Sequence, residues 1–154
     1  MSAAQTINDD RVLTVTRNFD APREKVWAAW IDFNHAHHFD GPAGHPMKSM
    51  RNDLRVGGKW RNVMRYEGKE LPQGGVYREV KAPEVLSFTF TWETDDGMKG
   101  VETLATVTFE EIAPGKTRLT LQQGVFPTTQ TRDGHRGGWN RALDAFTQFL
   151  AQRQ

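Results

Sequence analysis

Hydrophobic and polar positions alternate along most of this chain; elsewhere they recur at spacings of three and four. Leu13, Val15 and Phe19 share one parity while Thr14, Thr16 and Asn18 take the other, which predicts a half-buried strand beginning near Arg11. Pro22 stands where a first helical residue would, Glu24 follows in the turn that favours acids, and Val26, Trp27, Trp30 and Ile31 form one helical stripe. Asp32 is expected to cap a second short helix running to Phe39, ended by Gly41-Pro42-Ala43-Gly44 and Pro46. Residues 1–10 are small and polar and are expected to be a flexible N-terminus.

The middle of the chain reads as strands. Gly57-Gly58 marks a turn, after which Trp60, Asn62, Met64 and Tyr66 alternate with Lys59, Arg61, Val63 and Arg65. Gly74-Gly75 is read as a second turn before a strand from Val76 to Val80, which Ala82-Pro83 breaks. Leu86, Phe88, Phe90 and Trp92 then share a face opposite Ser87, Thr89 and Thr91, and Asp95-Asp96-Gly97 predicts a hairpin turn. Val101, Thr103, Ala105, Val107 and Phe109 form the next apolar row, and beyond Pro114-Gly115 come Leu119 and Leu121. Pro127 to Asp133 reads as a polar loop. From Gly134 to Gln152, Trp139, Ala142, Leu143, Phe146, Phe149 and Leu150 make an amphipathic helical stripe.

These elements predict an α+β domain over residues 11–152: a helix-grip fold with two short helices after the first strand. A curved antiparallel sheet of about six strands wraps around a long C-terminal helix. The reason for the curvature is geometric. One helix is about 10 Å wide, whereas six strands at about 4.8 Å spacing exceed 20 Å. The sheet must bend to cover its apolar face, and a bent, ring-rich sheet tends to leave a gap beneath the helix where a ligand fits.

Composition narrows the chemistry. The 154 residues include no cysteine, which excludes disulfides, thiolate metal sites and a cysteine nucleophile. Twenty Lys and Arg oppose nineteen Asp and Glu, so the charge balance points to neither nucleic acid nor an anionic membrane as partner. No apolar run approaches the ~20 residues of a membrane helix. The polar start lacks the order of a secretory signal, so the expected compartment is the cytoplasm. Five Trp and nine Phe put much of the burial into large rings.

Certain stretches resemble the activator of heat-shock protein 90 ATPase homologue-like family, within the START and pollen-allergen-like superfamily of helix-grip domains. They are Arg17 to Trp27, Gly41-Pro42, Asp53 to Trp60, Gly75 to Val80, Val85 to Phe90, Gly115 to Leu121 and Gly137-Gly138-Trp139, in order over nearly all of residues 11 to 152. The resemblance implies the helix-grip fold. Small single-domain bacterial members look like binders of apolar or aromatic small molecules. Other branches include polyketide cyclases and aromatases, and the eukaryotic chaperone activators use an additional N-terminal domain for which this chain is expected to have no room.

The expected ligand-binding residues are Trp30, Phe39, Trp60, Met64, Phe88, Phe90, Trp92, Phe109, Trp139, Leu143 and Phe146. Each ring taken singly reads equally well as core. Collectively, removing ~200 Å² of apolar ligand surface from water contributes on the order of 5 kcal/mol before association costs. His35 and His38, with His37 beside them, could share a helix face, but their spacing matches no zinc signature, so no metal and no cofactor is expected. Lys48, Arg51, Arg55, Lys59, Arg61, Arg65 and Arg78 read mainly as a solvated face against Glu79, Glu93, Glu102, Glu110 and Glu111. The functional alternative turns one or two of these Arg inward to a ligand carboxylate. Asp133 and His135 open the last helix, Asp133 as its cap. No catalytic motif is present. The leading reading is a binder of an apolar or aromatic small molecule, the alternatives a cyclase, aromatase or hydrolase using the same cavity, or a chaperone-contacting protein. An edge strand is compatible with a homodimer without requiring one.

Overall fold

The computed structural model describes residues 10–33, 47–66, 68–93 and 101–153, with backbone alone for 47–51 and 64–66. Its elements in chain order are β1 (Leu13–Phe19), α1 (Arg23–Ile31), β2 (Met47–Asn52), β3 (Lys59–Tyr66), β4 (Lys69–Lys81), β5 (Val85–Trp92), β6 (Thr103–Ala113), β7 (Lys116–Gly124) and α2 (Thr129–Gln152). The strands make one curved antiparallel sheet in the order β1-β7-β6-β5-β4-β3-β2. The long α2 lies on its concave face, nearest β1 and α1. The helix-grip architecture is therefore present, with one strand more than the pattern predicts. That strand is β2, where a register shift between Ser49 and Arg51 breaks the alternation that would have revealed it.

Register sorts the side chains into two faces. Leu86, Val107, Leu121 and Val15 lie in one cross-strand row, and Phe88, Ala105, Gln123 and Leu13 in the next. All of them are buried, so these rows line the concave side. The opposite parity carries Thr14, Thr16, Thr106, Thr108, Thr120 and Gln122.

Several local expectations need correction. Gly74-Gly75 is no turn but sits inside the 13-residue β4. A Cβ at Gly75 would lie 1.9 Å from the Thr89 carbonyl oxygen, and one at Gly74 2.7 Å from the Trp60 carbonyl oxygen, so glycine here permits close strand approach. At that place the Thr89 hydroxyl, not a backbone carbonyl, accepts the Val76 N–H at 2.8 Å, and the Trp60 indole N–H donates to the Thr89 carbonyl at 3.2 Å. The turn between β3 and β4 contains Gly68, whose φ of 77° is the left-handed region that glycine tolerates.

Helix ends also shift. Pro22 is the N-cap of α1 rather than its first residue; its carbonyl accepts from Lys25 and Val26. Asp32 has helical φ and ψ and closes α1 instead of capping a new helix. The rest of the expected second helix, to Phe39, lies outside the described residues, as does the Asp95-Asp96-Gly97 turn. The helix α2 starts at Thr129, five residues before Gly134 and ahead of Asp133. Its cap is Thr128, which forms a reciprocal capping box with Thr131. Asp133 is thus a helical residue, paired with Arg132 at 2.8 Å and Arg136 at 3.3 Å.

Candidate functional site

The ring contacts on the concave side fall into two groups. One surrounds Phe146 of α2, which meets Phe19, Trp30 and Phe33 at centroid distances of 5.5, 5.3 and 5.5 Å. Trp27 and Trp30 also abut Phe109 of β6, and Trp30 stacks on Trp139 at 6.1 Å and 22°. The other group stands on β3, β4 and β5. Trp60 meets Phe88 and Phe90 at 5.4 and 5.6 Å, Phe90 meets Trp92 at 5.3 Å, and Tyr77 meets Phe88 at 6.4 Å. Among the described residues no ring pair joins the two groups.

Between them, α2 is tied to the sheet by hydrogen bonds. The Trp139 indole N–H donates to Gln123 Oε1 at 2.7 Å, and Gln123 Nε2 donates to Thr103 Oγ1 at 2.8 Å. The Thr103 hydroxyl donates onward to the Phe90 carbonyl at 3.4 Å. This line crosses from helix to β7, β6 and β5, and it satisfies a glutamine that is wholly buried. Nearer the helix start, the Trp92 indole N–H donates to His135 Nε2 at 2.7 Å. Because an indole can only donate, His135 Nε2 must be unprotonated, and Nδ1–H donates to the Thr131 carbonyl at 2.9 Å. The His135 ring lies 4.6 Å from that of Phe126. A third tie comes from Arg17, which reaches Asp144 at 3.0 Å and the Asn140 carbonyl at 3.3 Å.

The expected ligand-binding residues are distributed unevenly over this arrangement. Trp30, Phe109, Phe146 and Leu143 are buried beside α1 and the later part of α2, and Trp60, Phe88 and Phe90 are buried on the far strands. Trp92 and Trp139 are half-buried and pack against the core, Trp139 on Trp30 and Trp92 on Phe90. Phe39 and the side chain of Met64 lie outside the described residues, as do His35, His37 and His38.

Sequence reasoning passed over the uncharged polar groups of the concave face. Asn62, Gln73 and Trp92 are register partners across β3, β4 and β5, and Asn62 and Gln73 are buried. Gln123 and Thr103 belong with them. Their signal was available: each occupies the apolar parity of its strand. Tyr77 is the concave face's buried phenol, donating to Asn52 Oδ1. Burial first, and the charge of Asp53 second, push its pKa well above the ordinary tyrosine value, so it remains a neutral donor.

The described Arg residues of the basic run do not turn inward. Arg61 holds Glu93 through two hydrogen bonds of 2.8 and 3.0 Å, Arg55 holds Asp53 at 2.9 Å, and Arg78 is exposed. The Arg61 hydrogen bond lowers the Glu93 pKa and the pair raises that of Arg61. Arg118 and Glu110, register partners on β7 and β6, form a similar exposed pair. Among the described residues no three His, Asp or Glu side chains converge as metal ligands, and no helix is long and apolar enough to cross a membrane.

A curved sheet closed by one long helix, with a ring-lined and amide-lined concave face, defines a helix-grip domain. Over residues 20–151 the chain matches the family model described as activator of Hsp90 ATPase homolog 1-like protein, and it belongs to that family. Solved structures agree on the fold. A Chromobacterium violaceum protein is similar at 24% identity over 91% of this chain and 96% of its own, with a TM-score of 0.78. An Arthrobacter aurescens protein is 23% identical over 98% and 93%, with a TM-score of 0.76, and a Mycobacterium smegmatis protein 24% identical over 94% and 91%, with a TM-score of 0.75. No curated protein matches the sequence.

Proposed function

We propose that the protein binds an apolar or aromatic small molecule, in the cytoplasm, between its concave sheet and the first half of α2. One observation carries this reading. Among the described residues the Trp and Phe rings divide into two groups that no direct ring pair joins, and between them α2 is tied to the sheet by the Trp139–Gln123 hydrogen bond and by His135, which accepts from Trp92 and sets its ring against Phe90, Trp92 and Phe126. A ligand seated there has Trp60, Phe88, Phe90 and Trp92 on one side and Trp30, Phe109, Phe146 and Leu143 on the other, under Trp139; Phe39 and Met64 complete the proposed set. Asn62, Gln73 and Gln123 favour a molecule that carries an uncharged hydrogen-bonding group, since a buried carboxylate without a partner is strongly disfavoured. The cyclase, hydrolase and chaperone-partner readings have no observation that favours them.

The test is a titration with N-phenyl-1-naphthylamine, a neutral apolar fluorophore. Saturable quenching of tryptophan emission is expected, weakened by Trp92→Ala. Unchanged emission with this probe and with a broad set of apolar compounds overturns the proposal.

A further inference from the structure

The helix α2 is built in two parts. All of its buried residues (Leu143, Ala145, Phe146 and Leu150) lie in its later part, and residues 129–142 bury none. The earlier part contains Gly134, Gly137 and Gly138. Glycine inside a helix usually marks a close neighbour, but among the described residues none is found. Among the described residues a Cβ at Gly134 would meet nothing within 4 Å, and at Gly137 and Gly138 only the guanidinium of Arg141, at 3.5 and 3.8 Å. Each such glycine shifts the helix–coil balance toward coil by about fivefold relative to alanine, so the three together amount to about a hundredfold. Among the described residues this same part is held by the Thr128–Thr131 cap, by the hydrogen bonds of His135, Trp139 and Asn140, and by the half-buried rings of Trp139 against Trp30 and His135 against Phe90, Trp92 and Phe126, with no fully buried side chain among them.

We infer that residues 129–142 open as a unit about the fully buried Leu143, while residues 143–152 stay docked, and that this opening is the route by which ligand enters and leaves. Local opening of this kind belongs to segments with few buried apolar contacts. The route rests on the binding function proposed above; the opening itself does not.

Hydrogen exchange followed by mass spectrometry on the full chain tests the opening. Amides of residues 133–142 are expected to exchange on the order of a hundredfold faster than those of 144–150. The triple variant Gly134→Ala, Gly137→Ala, Gly138→Ala is expected to slow the first set about a hundredfold and leave the second unchanged. Trp92→Phe, which keeps a ring but removes the donor to His135, is expected to accelerate only the first set. Equal protection of the two parts, or no slowing in the triple variant, overturns the opening. Stopped-flow binding of N-phenyl-1-naphthylamine tests the route: the triple variant should associate at least tenfold more slowly. Unaltered association overturns the route alone. A wild-type protein that does not bind the probe removes the route together with the proposed function, and leaves the exchange contrast to decide the opening.

Discussion

The two parts of α2 touch the same sheet through different physics. Residues 143–152 are docked by apolar burial: Phe146 alone contacts rings from β1, α1 and the segment after it. Residues 129–142 are docked by hydrogen bonds to Trp92, Gln123 and Arg17 together with the half-buried rings of Trp139 and His135, and they bury no side chain fully. Apolar burial is short-ranged but tolerant of angle, so it fixes how close two elements come. Hydrogen bonds set orientation and contribute only about 0.5–1.5 kcal/mol each, so they fix the turn and height of a helix without adding apolar burial. The later part of α2 is a grip on the sheet and the earlier part a prop.

The contrast can be broken at either end. Phe146→Ala removes the centre of the docked part and is expected to cost about 3–5 kcal/mol of global stability, read from urea unfolding. Gln123→Met keeps volume but leaves the Trp139 N–H and the Thr103 hydroxyl without their partner, an expected loss of about 1–3 kcal/mol. If Gln123→Met proved as costly as Phe146→Ala, the distinction between grip and prop would fail. Thr128→Ala deletes the cap and should cost about 1 kcal/mol, confined to the exchange of the first part of α2. The smallest effect belongs to the convex face, as a control. Glu93 has its pKa lowered by Arg61, so the pair stabilises the fold above the unfolded carboxyl value and that contribution disappears as pH falls through the lowered folded value. Both side chains are about two-fifths exposed. Glu93→Gln should therefore lose no more than about 0.5 kcal/mol at pH 7 and less as the pH is lowered, measured by urea unfolding across that range.

Much of this architecture is written in the alternation. The faces of β6 and β7 follow from Val101 to Phe109 and Leu119 to Leu121, because a strand with one wet side must alternate; β5 alternates in composition from Leu86 to Trp92 although Ser87 and Thr89 on its other face are buried as well. Local composition misleads where it has two meanings. Gly74-Gly75 signals a turn, yet here glycine admits a neighbouring carbonyl. The polar run from Pro127 to Asp133 looks like loop, yet the Thr128–Thr131 box begins the helix within it. The ring positions of the candidate site were readable one by one, since each sits on an apolar parity. The partners of those rings were not. That Trp139 would meet Gln123, or Trp92 meet His135, depends on the height and rotation of α2 over the sheet, which no local pattern encodes. Arg17 shows the same limit: it shares the parity of Leu13, Val15 and Phe19, and only the packed helix reveals Asn140 and Asp144 as its reason.

The Thr89 hydroxyl that stands in for a missing rung between β4 and β5 has an engineering consequence. Valine there would keep the shape of threonine and remove the acceptor of the Val76 amide, while any side chain at residue 75 would collide with the opposite main chain. Redesign of this scaffold should therefore leave that seam alone and vary the ring and amide positions on either flank, where substitution alters the concave face without unpicking the backbone.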